Sequence, residues 1–165
     1  MKIPYIDLQA QWRVEKKTLL PVISKTFSKG QFVLGNEIEK FEKNISKICG
    51  TKYAVALNSG TDALTLGLKL LGIKRGDEVI TPPNSFISST TSIAHVGAKP
   101  VFADVLKDQN IDPEQIEKKI TKKTKAIMPV HLTGRVCEMR QIMQISKKYK
   151  IPIIEDAAQS IGSKY

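Results

Sequence analysis

The sequence predicts an α/β protein that has a mainly parallel sheet with flanking helices. From residue 53 onward, short apolar runs alternate with stretches of helical periodicity, and this order is typical of parallel sheets whose crossovers are helices. The apolar runs contain few polar residues, which indicates strands that are buried on both faces. The order of the strands in the sheet does not follow from these patterns.

Residues 1–52 are predicted to form an N-terminal arm and helices. Apolar positions recur across residues 11–28, and Pro21 is expected to interrupt their pattern. The segment QFVL is expected to be an extended connector. A helix is predicted from Asn36 to Gly50, because its apolar residues recur at spacings of three and four. These apolar residues are Ile38, Phe41, Ile45 and Ile48.

Residues 53–165 carry the alternation of strands and helices. The predicted strands are 53–57, 78–81, 100–103, 126–130 and 151–155. The predicted helices are 62–71, 87–96, 112–120 and 136–149. Asp112 and Pro113 suit the cap and the first turn of the third of these helices. Since proteins of this class bind ligands at the carboxyl ends of their strands, the residues at those ends are the candidates for a functional site.

The segment Ser59-Gly60-Thr61-Asp62 lies at the first such position, where a helix begins. The first turn of a helix exposes unpaired N–H groups and the positive end of the helix dipole. Gly60 lets a ligand approach the backbone closely, and Ser59 and Thr61 add hydroxyl groups. The segment therefore suits a phosphate group, although ordinary helix capping explains the same residues.

Three further residues follow predicted strands, and each has two interpretations. Asp156 could hold a protonated ring nitrogen, or it could cap a helix or bind a metal. Phe86 could stack on a flat heterocycle or belong to the core. His131 could contact a ligand or fill a structural position. Their common place at strand ends favours one shared site.

Composition and charge exclude several classes of partner. Hydrophobic residues make up 41% of the chain and charged residues 25%, and the formal net charge is +10. The lysines are scattered and are not interleaved with aromatic residues, which favours a solvated basic face over a nucleic-acid surface. The N-terminus lacks the apolar core of a signal peptide, and no run reaches the ~20 apolar residues of a membrane helix. We therefore expect a cytoplasmic protein that binds neither nucleic acid nor membrane.

The cysteines and histidines predict neither a disulfide framework nor a metal site. Cys49 and Cys137 lie far apart and form no CxxC motif. The two histidines, His95 and His131, lie far from both cysteines, so no zinc spacing exists.

Seven blocks of sequence resemble the DegT/DnrJ/EryC1/StrS family. The blocks are IPYIDL, FVLGNEIEKFE, YAVALNSGTDAL, GDEVITPPNSFISS, AKPVFADV, AIMPVHLTG and IPIIEDAAQS. The resemblance implies a fold-type-I enzyme that depends on pyridoxal 5′-phosphate (PLP), with 53–165 as an incomplete PLP-binding large domain. It implies amino transfer from an amino acid, such as glutamate, to a nucleotide-linked keto-sugar for amino-sugar or polysaccharide synthesis. It also implies a homodimer for the full-length protein.

The same resemblance implies which residues bind the phosphate group of the cofactor. Gly60 and Thr61, together with the amide of Asp62, would hold the phosphate group of the cofactor.

Toward the pyridine ring, the resemblance implies that Phe86 stacks on one face and that Asp156 pairs with the ring nitrogen. Gln159 would lie near the phenolic oxygen of the cofactor. His131 and Gly134 match a block near the site, whereas no role is assigned to Thr133, where family members often carry an aromatic residue.

The lysine that forms a Schiff base with the cofactor is expected beyond Tyr165, as is the small C-terminal domain. Lys164 lies too close to the EDAAQS block to match that lysine. No catalytic residue is therefore predicted within these 165 residues, and the chain alone is expected to be inactive. Three alternatives stay open: a sugar dehydratase of the same family, in which histidine replaces the lysine; a non-catalytic truncated product; and, less favoured, another fold-type-I enzyme such as a cysteine desulfurase.

Overall fold

The computed structural model of the chain describes residues 4–165. They form two compact units that divide between Ala56 and Leu57. The sequence places its domain boundary between residues 52 and 53, and that assignment of domains stays a prediction.

The first unit is built from two helices. They are α1 (Leu8–Ser28) and α2 (Asn36–Cys49). The carboxylate of Asp7 caps α1 by accepting a hydrogen bond from the amide of Ala10 at 2.9 Å. Gly50 ends α2 with a φ of 64°, a conformation that costs glycine little.

The expected interruption at Pro21 is wrong, because α1 continues through this residue. The proline ring removes one backbone donor and leaves the carbonyl group of Lys17 without its helical partner. Lys17 is exposed, so water can bind that carbonyl group and the helix tolerates the loss.

The second unit holds a parallel sheet with helices on both faces, as the sequence predicts. Its strands are β1 (Glu78–Thr81), β2 (Lys99–Phe102) and β3 (Thr124–Ile127). Its helices are α3 (Gly60–Leu70), α4 (Ile87–His95), α5 (Pro113–Lys119) and α6 (Met139–Tyr149). The strand order is β2-β1-β3, and both pairings are parallel. The last helix begins three residues later than predicted.

Successive residues of the central strand point into two separate cores. Val79 packs with residues of α3 and α4, whereas Ile80 packs with residues of α5 and α6. Both side chains are fully buried. For the central strand this confirms the prediction of burial on both faces, whereas no residue of the edge strand β2 is buried.

The predicted strand at 151–155 is not a continuous strand. The segment pairs in parallel with the end of β3 at two isolated bridges. These are Ile127 with Ile153 and Val130 with Asp156. Pro129 lies between the bridges and has no N–H to donate, so the ladder lacks the hydrogen bond that would join them.

The predicted strand at 53–57 is also wrong. Tyr53 and Val55 are 73% and 75% exposed, and within residues 4–165 no strand pairs with this segment. The amide of Ala56 donates instead to the carboxylate of Glu42 at 2.7 Å. An apolar run becomes a buried strand only where a neighbouring strand accepts its hydrogen bonds.

Within residues 4–165, no helix is both long enough and apolar enough to span a bilayer.

Candidate functional site

A cavity of about 220 Å³ lies in the second unit, where polypeptide segments leave β1 and β3. Its walls are formed by Gly60, Thr61, Leu64, Phe86, Ser88, Val130, Asp156, Ala158 and Gln159. Of the six residues for which the resemblance implies a contact with the cofactor, five are among them, and Asp62 is not. The fold therefore brings together residues that are far apart in the chain.

The first turn of α3 forms one wall of the cavity. The amides of Gly60 and Thr61 are the first two of the helix and have no acceptor within it. The space beside the α-carbon of Gly60 is open, with no heavy atom near the place of a side chain. The helix end thus presents free donors and the positive end of its dipole to the cavity.

Asp62 takes part in capping α3. Its amide donates to the hydroxyl of Ser59 at 3.1 Å, and that hydroxyl donates to the Asp62 carboxylate at 2.7 Å. The Asp62 amide therefore already has a partner, in agreement with the alternative of helix capping for this segment.

The hydroxyl groups of Thr61 and Ser88 contact each other across the cavity wall at 2.7 Å. Ser88 belongs to the first turn of α4. The sequence prediction missed this residue, although the serine-rich segment SFISST at the start of a helix was the available signal. Two hydroxyl groups and a helix N-terminus therefore meet at one end of the cavity.

Asp156 supplies the only carboxylate among the residues that line the cavity. It is 9% exposed. The Ser89 hydroxyl donates to its Oδ2 at 2.8 Å, and the Ala158 amide donates to its Oδ1 at 3.3 Å. Within residues 4–165 the carboxylate forms no salt bridge. A buried carboxylate that has only neutral donors is stabilised further by a cation.

The backbone of Asp156 is held on both sides by the chain beyond β3. Its amide donates to the carbonyl of Pro129 at 2.9 Å, and its carbonyl accepts from the amide of His131 at 3.1 Å. These bonds fix the backbone of Asp156 at its bridge with Val130. The position from which its side chain enters the cavity is therefore defined.

Phe86 and Gln159 complete the cavity with an apolar ring and an amide. Phe86 is 71% exposed, which rules out the alternative of a core phenylalanine. The Oε1 atom of Gln159 accepts a hydrogen bond from the amide of Thr133 at 2.7 Å. Its NH₂ group is left to donate to another acceptor. Thr133 thereby orients Gln159, a role that the sequence did not indicate.

His131 is buried behind the cavity and does not line it. Its Nδ1 lies 3.2 Å from the amide nitrogen of Cys137, and its Nε2 lies 2.9 Å from a carboxylate oxygen of Glu155. Contacts with Cys137 and Glu155 raise the pKa of His131 to about 9. The hydrogen bond with His131 lowers the pKa of Glu155. Both ring nitrogens have internal partners, which favours the structural interpretation of this histidine.

Within the described part of the chain, no group of three or more histidine, cysteine or acidic side chains could hold a metal ion. The cavity instead combines donors for an anion, an apolar ring and a buried carboxylate. A flat cationic heterocycle that carries an anionic group has the complementary chemistry.

A sequence profile of the DegT/DnrJ/EryC1/StrS aminotransferase family matches residues 14–165. The chain belongs to this family. Two curated relatives show the extent of the match. The chain is 40% identical to the pleiotropic regulatory protein of Geobacillus stearothermophilus, over 100% of this chain and 45% of that protein. It is 42% identical to the dTDP-3-amino-3,6-dideoxy-alpha-D-galactopyranose transaminase of Aneurinibacillus thermoaerophilus, over 99% of this chain and 45% of that protein. The chain thus spans a little under half the length of these relatives.

Two solved structures share the fold of this chain. S. venezuelae DesV, in complex with a ketimine intermediate, has a TM-score of 0.95 at 38% identity, covering 99% of this chain and 44% of that one. NtdA of Bacillus subtilis, with the bound cofactor PMP, has a TM-score of 0.92 at 39% identity, covering 98% and 38%. The α/β fold is therefore that of PLP-dependent aminotransferases.

Proposed function

We propose that the protein containing this chain transfers an amino group from an amino acid, with glutamate as the expected donor, to a nucleotide-linked keto-sugar, and that PLP is its cofactor. The observation that carries the proposal is the buried carboxylate of Asp156. It faces a cavity in which the hydrogen-bond donors of Gly60 and Thr61 suit an anion. It has no cationic partner within residues 4–165.

The chemistry of the residues that line the cavity suits PLP. The free amides of Gly60 and Thr61 and the Thr61 hydroxyl would hold the phosphate group. The Asp62 amide would contribute only if it left the Ser59 hydroxyl. Phe86 would cover one face of the pyridine ring. Gln159 would donate from its NH₂ group to the phenolic oxygen.

Asp156 has the most direct chemical role in this arrangement. Bound PLP supplies an electron sink for negative charge that develops on a substrate carbon. A carboxylate beside the ring nitrogen favours the protonated form of that nitrogen. Because Asp156 is almost buried and already hydrogen-bonded, it offers this charge with little reorganisation. Phe86 and Leu64 line the same space with apolar side chains.

The substrate class rests on the curated relatives. One of them is named a UDP-2-acetamido-2-deoxy-3-oxo-D-glucuronate aminotransferase and shares 40% identity over 99% of this chain. Nucleotide-linked sugars also recur in the names of the transaminases of Aneurinibacillus thermoaerophilus and Streptomyces venezuelae. The homodimer is part of the same proposal.

The variant Asp156→Asn tests the proposal in the native gene product. It preserves the shape of the side chain and removes its charge. We expect amino transfer from glutamate to a nucleotide-linked keto-sugar to fall by about 100-fold, since the variant loses an electrostatic interaction that acts on developing charge. PLP affinity, measured by equilibrium dialysis, should fall in parallel.

Asp112→Asn is the matched control, because Asp112 caps α5 away from the cavity and asparagine caps equally well. Equal PLP affinity and equal amino transfer in Asp156→Asn and wild type would refute the proposal. A native product that binds PLP but dehydrates the keto-sugar would instead support the dehydratase alternative.

A further inference from the structure

Ser89 is a fully buried polar residue that the proposed mechanism does not use. It lies in the first turn of α4, and its side chain is 0% exposed. Its hydroxyl donates to Oδ2 of Asp156 at 2.8 Å, although the two residues are 67 positions apart in the chain. A buried hydroxyl needs a partner, and here the partner is the carboxylate on which the site depends.

The direction of this hydrogen bond follows from the chemistry of the two groups. An ionised carboxylate only accepts hydrogen bonds, so the single hydroxyl proton of Ser89 is directed to Oδ2. The backbone carbonyl of Ser89 accepts from the hydroxyl of Ser92 at 3.2 Å. Ser92 is likewise fully buried but donates to the backbone only.

The two oxygens of Asp156 are therefore held unequally. Oδ2 has the 2.8 Å bond from Ser89, whereas Oδ1 has only the longer 3.3 Å contact from the Ala158 amide. Hydrogen bonds to charged groups are the stronger ones in proteins. The Ser89 bond thus fixes the rotation of the carboxylate and leaves Oδ1 with the larger remaining capacity to accept.

We propose that Ser89 is a positioning residue that orients the Asp156 carboxylate, so that Oδ1 is the oxygen which receives the N–H of the cationic heterocycle. The inference rests on the proposed function, because it takes Asp156 as the partner of the pyridine nitrogen. Ser89 itself does not line the cavity, and it acts only through Asp156.

The test uses the native gene product and PLP that carries ¹⁵N in its ring. Ser89→Ala removes the hydroxyl, and Ser89→Cys retains its size with a weaker donor. Ser92→Ala is the matched control, because it removes a buried hydroxyl from the same helix without touching Asp156. PLP affinity is measured by equilibrium dialysis, and protonation of the ring nitrogen is measured by its ¹⁵N chemical shift.

We expect Ser89→Ala to weaken PLP binding about tenfold, in line with the loss of a hydrogen bond to a charged group. The ¹⁵N signal should move toward the position of the neutral ring, since a misdirected carboxylate no longer holds the proton on the nitrogen. Ser89→Cys should lie between Ser89→Ala and wild type, and it carries the same test if Ser89→Ala does not fold. Ser92→Ala should match wild type in both measurements.

The inference is overturned if the Ser89 variants retain the ¹⁵N shift of wild type, or if Ser92→Ala moves it equally. Asp156→Asn, measured in the same way, separates this result from failure of the proposed function. If Asp156→Asn shifts the signal and the Ser89 variants do not, only the role of Ser89 is wrong. If Asp156→Asn leaves the signal unchanged, the pairing of Asp156 with the ring nitrogen is wrong as well.

Discussion

Individual side chains around β3 divide into those that face the cavity and those that support it. Asp156 faces the cavity, whereas its neighbour in sequence, Glu155, forms a pair with His131 behind it. Adjacent residues of an extended segment point to opposite sides. The acidic pair therefore supplies one carboxylate to the site and one to the scaffold.

The supporting pair gives a prediction about protonation. Contacts with Cys137 and Glu155 raise the pKa of His131 to about 9. In Glu155→Gln the charge is lost, so the pKa of His131 should move down toward its ordinary value of about 6.5. The measurement is an NMR titration of the imidazole signals. His95, which is exposed and is the only other histidine, provides the internal reference.

The sign of the effect on stability follows from the raised pKa. The stabilisation from His131 is fully present below pH ~6.5, and it is lost as the pH rises toward the folded-state pKa of about 9. Glu155→Gln should reduce this decline in the free energy of unfolding, measured with urea across that pH interval. A His131 titration that is the same in the variant and in wild type would contradict the assignment.

Among the elements, α5 depends most visibly on its first residues. It has seven residues, Asp112 caps it by accepting from the amide of Glu114 at 2.9 Å, and Pro113 occupies its first position. Its Ile116 is fully buried in the core that includes residues of α6. A helix this short needs its cap and its packing, since helix propensity alone does not maintain it.

Asp112→Ala should therefore lower the free energy of unfolding by about 1 kcal/mol. Asp112→Asn should leave it nearly unchanged, because asparagine caps as well as aspartate. Urea unfolding followed by circular dichroism measures both variants. Equal destabilisation by alanine and asparagine would show that the charge of Asp112, and not its cap, is what matters.

The elements also show why some predictions succeeded. The strand at 78–81 was predicted with its observed bounds, because the β-branched residues Val79, Ile80 and Thr81 are followed directly by Pro82 and Pro83. The segment 151–155 has the same character, but its partner contains Pro129. The sequence of 151–155 does not itself show that a proline interrupts the neighbouring segment with which it pairs. For 53–57, the sequence shows an apolar run but does not show whether a neighbouring strand pairs with it.

The candidate site was predicted to a similar extent. Gly60, Thr61 and Asp156 were found because the recognisable blocks SGTDAL and EDAAQS carry them. Ser88 and Ser89 were not found, because adjacent serines in SFISST differ only in the direction in which α4 points them. One meets Thr61 and the other meets Asp156. That difference depends on contacts across 27 and 67 residues of chain, which local patterns do not contain.

At the scale of the whole molecule, the two units differ in how much apolar surface they bury. Every residue of the two cores belongs to the second unit, and none of residues 4–56 is buried. Most stabilisation of a helix in a protein comes from burying its apolar face. We therefore expect the first unit to open at lower free energy than the second.

Limited trypsin digestion of the native gene product tests this expectation, because lysine and arginine occur along the whole sequence. Early cuts should fall within residues 4–56, and peptides from residues 57–165 should appear later in mass spectra. Simultaneous cleavage of both regions would show that the units open together.

The contact between the hydroxyls of Thr61 and Ser88 has a consequence for which molecules the cavity discriminates against. The two groups satisfy each other at 2.7 Å. An alcohol or a neutral ester that enters would exchange this hydrogen bond for an equivalent one and gain nothing. An oxyanion accepts roughly twice as strongly as a neutral oxygen, so only a charged ligand recovers more than it displaces. Opening the hydroxyl pair therefore favours a charged oxyanion over a neutral ligand at the first turn of α3.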